Sequence, residues 1–124
     1  MKPIHAPKAP AALGPYSAAI AHDKLLFCSG QTPIDPQTSE LVPGGITEQT
    51  EQVIKNLAAV LEAAGAGLND VLKTTCFLAD MGDFAAFNSV YARHFVSKPA
   101  RSTVAVKALP KGALVEIELI ARAG

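Results

Sequence analysis

Residues 99–124 read PARSTVAVKALPKGALVEIELIARAG. Two runs rich in apolar and β-branched residues flank a turn signal at Pro110, Lys111 and Gly112, which predicts two closing β-strands. Alternation places Leu114, Glu116, Glu118 and Ile120 on one face of the last strand, and Val115, Ile117 and Leu119 on the other. Two carboxylates among apolar neighbours suit a face that is covered by another subunit and carries a polar site. If the two strands form a hairpin in which Ala108 pairs with Ala113, then Ala105 faces Glu116 and Thr103 faces Glu118. Arg101 and both glutamates then share a face, and a one-residue slip would separate them. In that register Arg101 lies four residues along the ladder from Glu116, roughly 13 Å at strand rise. One small molecule is then hard to grip from both positions in one chain unless long side chains narrow the gap; otherwise the working pair meets across two chains.

Working back from there, VLKTTCFLAD (71–80) reads as a strand, and Asp83 as the N-cap of a helix with Phe84, Phe87, Val90, Tyr91 and Phe95 on one side. ITEQTEQVIKNLAAVLEAAGAG (46–67) is the strongest helix signal. Val53, Ile54, Leu57, Val60 and Leu61 recur at helical spacing, Thr47 is a candidate N-cap, and Gly65 and Gly67 supply the stop. SAAIAHDKLLFCSG (17–30) reads as two short strands turning near His22 and Asp23, followed by a loop with Pro33, Pro36 and Pro43. The first sixteen residues are proline-rich and extended. The order β-β-α-β-α-β-β predicts a single α+β domain over residues 1–124, with one mixed sheet and two helices on one face.

The composition limits the function classes. The chain has 124 residues, 49% of them apolar, and eleven basic side chains balance eleven acidic ones. That balance gives no footprint for a polyanionic partner. Cys28 and Cys76 have no metal or redox spacing and read as reduced, packed thiols, which fits a cytoplasmic setting. His5, His22 and His94 are scattered, so no metal is expected. No phosphate loop, nucleophile elbow or dinucleotide fingerprint occurs. The opening residues do not resemble a signal peptide, and no run reaches transmembrane length.

Few residues remain to carry chemistry. Arg101 offers a planar fork suited to a carboxylate or phosphate, although it could equally pair with Glu116 or Glu118. Glu116, in mid-strand, is a solvent-facing group, an ion-pair partner or a general acid–base. Tyr16 follows a Gly-Pro turn, and Ser29 and Gly30 end a strand where a backbone N–H can be left for a ligand. Asn88 lies in a helix, where its type is a weak former, which suggests a side-chain role.

The segments GPYSAAI, LLFCSGQTPIDPQT, NLAAVLEAAG, VLKTTCFLADMGDFAAFNSVYARHF, PARSTVAV and LPKGALVEIELIA, taken in order, resemble the RidA/YjgF family of reactive-intermediate deaminases. The resemblance implies a fold like that of trimeric chorismate mutase, with three sheets forming a barrel, helices outside and sites between subunits. It implies hydrolysis of 2-imino acids, such as 2-iminobutanoate and 2-iminopropanoate, to 2-oxo acids and ammonia, without cofactor or metal. Those imines are released by pyridoxal-phosphate dehydratases acting on threonine or serine. Carried across, Arg101 binds the carboxylate and Glu116 directs water, while Tyr16, Ser29, Gly30, Asn88 and the backbone near Thr103 line the site. Thr103 stands where relatives often have Cys or Ala, and VSKPA (96–100) is shorter than in many of them. The other readings open at this point are a regulatory trimer that binds 2-oxo acids without turnover, and an endoribonuclease or translation inhibitor.

Overall fold

A computed structural model describes residues 1–123. The strands are β1 (Lys2–Ile4), β2 (Ala19–His22), β3 (Leu25–Gln31), β4 (Val71–Leu78), β5 (Ala100–Ala105) and β6 (Val115–Arg122); the helices are α1 (Ile46–Ala63) and α2 (Phe84–His94). All six strands form one sheet in the order β1-β2-β3-β6-β4-β5. Every neighbouring pair is antiparallel except β4 and β5, which are parallel. The expected α+β domain with one mixed sheet is therefore present, with one strand more than the sequence suggested, because Lys2–Ile4 pairs with β2.

The helical spacing in α1 becomes burial. Val53, Ile54, Leu57, Val60 and Leu61 are sealed against Leu26, Ile117 and Leu119 of the sheet, and Phe87, Val90 and Tyr91 of α2 join the same core. Each such side chain contributes about 1.5–3 kcal/mol by leaving water. The helix starts two residues earlier than Thr47 predicts. Gly45 is the N-cap, and Glu48 reaches back to accept from its N–H at 2.9 Å. At the other end Gly65 adopts φ +76° and ends the helix as expected. Asp83 precedes α2 but caps nothing with its side chain; Asp80 does so one turn earlier, accepting from the Gly82 N–H at 2.8 Å.

The closing hairpin does not form. β4 lies between β5 and β6, so residues 106–114 cross its end instead of turning tightly. The crossing is tied on both sides of that end: Val106 N–H donates to Leu78 O (2.9 Å) and Ala79 N–H to Leu114 O (3.0 Å). The cause lies upstream. α2 carries the chain from β4 back to a parallel neighbour, a crossover that must stack on the sheet, which leaves the other edge of β4 for β6.

This topology resets the faces. Arg101 is level with Thr74 of β4, and Thr74 with Leu119 of β6; Thr103 is level with Cys76 and Ile117. These residues face the helices. Glu116 is level with Phe77, and Phe77 with Val104, while Glu118 is level with Thr75. Those residues face away from the helices. The division within β6 is as alternation predicted, but Arg101 and the two glutamates lie on opposite faces of the sheet, not on one.

Candidate functional site

The predicted residues fall into two groups. The first gathers where β3 meets β6. The register slips there, with Cys28 opposite Leu119 but Gln31 opposite Ile117, so β3 carries one extra residue around Ser29 and Gly30. Such a bulge bends the strand and re-aims its neighbours. Here it sets the bare Cα of Gly30 against Glu116: a β-carbon on residue 30 would lie 2.9 Å from Cδ and 3.1 Å from Cγ of Glu116. Ser29 holds the preceding segment, donating from its hydroxyl to Ser17 O (2.7 Å) and from its N–H to Ala18 O (3.0 Å). The Ser29 N–H is thus already used and does not await a ligand. Tyr16, adjacent to that anchored segment, is 55% exposed. Glu116 is half-buried, and its carboxyl is raised above the usual range, first by burial and then by the nearby charge of Glu118.

The second group forms under α2. Arg101 donates from Nη1 to Asn88 Oδ1 at 2.7 Å. Its guanidinium carbon lies 4.6 Å from the ring centre of Tyr91 and 5.6 Å from that of Phe84. The other two arginines bond carboxylates, Arg93 to Glu51 (2.7 Å) and Arg122 to Asp70 (2.8 Å). Among the described residues Arg101 has no carboxylate partner; its cation is held by a neutral amide and two ring faces. Thr103, two residues along the same face, has a buried hydroxyl without a hydrogen-bond partner among the described residues. Cys76 beside it is a thiol pushed up to about 11 by burial, against the opposing influence of the Thr74 hydroxyl, Arg101 and Thr103. Burial likewise pushes Cys28 up to about 12, so both cysteines are poor nucleophiles.

Arg101 and Glu116 of one chain are separated by two strand spacings, about 10 Å, and three residues of rise, about 10 Å more, on opposite faces of the sheet. They do not meet within the chain. Sequence reasoning identified Asn88 but read Phe84 and Tyr91 only as core. The signal was available, since Phe84, Asn88 and Tyr91 stand at i, i+4 and i+7, one stripe of α2. Thr74, which holds Tyr91 from β4, carried no comparable signal.

The face bearing Glu116 is partly apolar and open. Phe27 is 42% and Val104 45% exposed there. A shallow concavity of about 300 Å³ on this side is lined by Phe27, Lys73, Thr75, Glu118 and Ile120. A larger one, about 630 Å³, lies outside α1 between Val42, Gln52, Leu68 and His94. It contains none of the predicted residues, and chemistry outweighs size in choosing between them. No helix among the described residues is long and apolar enough to cross a membrane.

The family described as Endoribonuclease L-PSP matches the chain over residues 6–123. A mouse protein named 2-iminobutanoate/2-iminopropanoate deaminase is 50% identical over 124 residues, covering 99% of this chain and 92% of its own. Among solved structures, RidA from an Antarctic Psychrobacter superposes with a TM-score of 0.94 at 46% identity, covering 98% of this chain and 99% of that one. Escherichia coli TdcF, solved with bound serine, superposes with a TM-score of 0.94 at 38% identity and covers 100% of both chains.

Proposed function

The chain belongs to the Endoribonuclease L-PSP family, the RidA/YjgF family, and from that premise we propose that it hydrolyses small 2-imino acids to 2-oxo acids and ammonia at a site shared between two copies. The observation that carries this reading is the guanidinium of Arg101, which is held by neutral partners and has no carboxylate partner among the described residues. A planar cation kept in that way suits a substrate carboxylate, which the fork can grip through two parallel bonds. The mouse relative's name supports the imine chemistry, and the serine bound to TdcF supports a ligand of amino-acid size.

The proposed reaction needs little else. Arg101 fixes the carboxylate and so orients the C=N bond. Glu116 of a neighbouring copy takes a proton from water as the water oxygen bonds to the imine carbon. It returns that proton to nitrogen to give a carbinolamine, then takes the hydroxyl proton and delivers it to nitrogen as the C–N bond breaks, leaving a C=O bond and free ammonia. Partial burial beside Glu118 raises the Glu116 carboxyl and makes its anion a better base. Tyr16, Ser29, Gly30, Asn88 and the Thr103 backbone complete the walls. A homotrimer with three such sites is the assembly proposed, since Arg101 and Glu116 cannot converge in one chain.

The test is a threonine dehydratase reaction in which decay of the released 2-iminobutanoate is followed with and without the protein. Acceleration by the wild type is expected, with loss of about 10²–10⁴-fold in Glu116→Ala and a comparable loss in Arg101→Ala. Absence of acceleration by the wild type would overturn the reading. RNA cleavage by the purified protein that Arg101→Ala does not affect would point to a different activity at a different place.

A further inference from the structure

The reading of Arg101 as a carboxylate clamp leaves open what keeps its fork in place. Asn88 makes a single bond to it, at 2.7 Å from Nη1. One bond at one corner leaves a guanidinium free to swing about that point. A second restraint lies beneath it. The Tyr91 ring centre is 4.6 Å from the guanidinium carbon, within the range at which a ring face attracts a cation. That ring is itself fixed three ways. Its hydroxyl is 2.7 Å from Thr74 Oγ1, on the β4 residue level with Arg101. Phe95 stacks on it at 4.3 Å, and Phe87 packs at 5.7 Å. Thr74 is fully buried, so its hydroxyl has no water to turn to.

We propose that Tyr91, locked by Thr74, is a positioning residue that sets the plane of the Arg101 guanidinium, and so governs carboxylate affinity without touching substrate. The proposal rests on the clamp reading above and goes beyond it by naming the device that aims the clamp. It assigns the two partners separate jobs: Asn88 anchors one corner of the fork, and the ring sets its tilt. The ring acts through its negative face, so its electronic character should matter independently of its shape. A clamp grips the carboxylate before and during reaction alike, so a mis-aimed fork raises KM by more than it lowers kcat, the smaller fall in kcat coming from the C=N bond it also orients.

The experiment measures 2-oxobutanoate binding by calorimetry and KM and kcat for 2-iminobutanoate in three proteins: wild type, Tyr91→Phe, and a protein with pentafluorophenylalanine installed at position 91. Both replacements lack the hydroxyl and keep a packed ring, but fluorination removes the negative face. The expected result is a rise of about threefold in Kd for Tyr91→Phe, from loss of the Thr74 tie, and a further rise of about tenfold on fluorination. KM should follow Kd, with kcat falling by less than KM rises and the melting temperatures of the two replacements alike. Equal affinity in the phenylalanine and pentafluorophenylalanine proteins overturns the proposal. So does a fall in kcat at unchanged KM, the mark of a general structural defect. Arg101→Ala is the control for the reading beneath it. If that variant binds 2-oxobutanoate as tightly as the wild type, the clamp reading fails; if it loses binding while the ring changes have no effect, only the Tyr91 proposal fails.

Discussion

Gly30 lacks a side chain at the point where Glu116 needs the room. A methyl there would fall within 2.9 Å of the carboxyl carbon, and since a glutamate side chain is flexible and its strand is not, the carboxylate would swing away. Gly30→Ala is therefore expected to behave as a displaced-base variant: kcat down by about 10²-fold, binding of 2-oxobutanoate nearly kept, and the urea midpoint little changed. A large loss of stability with normal activity in the folded fraction would contradict this. Glu116 also makes a prediction about pH. Its carboxyl titrates higher in the folded chain than in the unfolded one, because burial and Glu118 disfavour the anion. Its contribution to stability is thus complete below the unfolded carboxylate range and is lost as pH rises through the folded value. Glu116→Gln, which never ionises, should gain in melting temperature relative to wild type between pH 4 and pH 8. A difference between the two proteins that stays flat across that range would exclude a raised Glu116.

The elements owe their placement to polar side chains as well as to the apolar stripe. Asn56, buried on α1, donates to Thr32 O at 3.1 Å and to Ile34 O at 2.9 Å, and accepts from Gln52. Gln49, two turns earlier on the same face, accepts from the Leu114 N–H at 2.8 Å, just before β6 begins. A single helix thereby pins both the exit of the bulged strand and the entry of the strand bearing Glu116. Asn56→Ala strands the buried Ile34 carbonyl, while Thr32 O keeps the Ile34 N–H, and should cost about 1–3 kcal/mol in urea unfolding. Asn56→Asp should cost more, since a carboxylate would face two carbonyl oxygens; the reverse order would refute this account of the clamp. What could be read in the chain beforehand follows the range of the interaction. The α1 stripe, the Gly65 stop, the His22-Asp23 turn and the two faces of β6 depend on residues within a turn or two of each other, and all were legible. The pairing of β5 was not. A turn signal at Pro110–Gly112 looks local, whereas the insertion of β4 is decided by α2 (Phe84–His94) and its crossover, well upstream in the chain. That non-local choice changed the parity between Arg101 and Glu116, and with it their faces. Arg101, Asn88, Glu116 and Gly30 were nonetheless singled out, the cation, the amide and the mid-strand carboxylate as candidates by residue type, Gly30 as the end of a strand, and their places in one site by the family resemblance. Tyr91 and Thr74 were not, since each is at home where it stands.

At the scale of the molecule, the sheet separates the two groups that the proposed chemistry needs together. One face offers Glu116 beside Gly30, the other offers Arg101 beside Asn88, and the face with Glu116 leaves Phe27 and Val104 uncovered. In the proposed ring, identical copies would join unlike faces and complete a site at every junction. This arrangement has a numerical consequence. Arg101→Ala and Glu116→Ala should each be inactive alone. If the two proteins are unfolded together in equal amounts and refolded, a junction works only when the copy supplying Arg101 is the Glu116 variant and its neighbour is the Arg101 variant. Random assembly meets both conditions at about one junction in four whatever the size of the closed ring, so about a quarter of wild-type activity should return. Mixing the folded variants without unfolding should restore it only as fast as subunits exchange. A site built within one chain predicts no recovery under either protocol, because every copy would still lack one of its two groups, and that outcome would end the shared-site reading whatever the oligomer turns out to be.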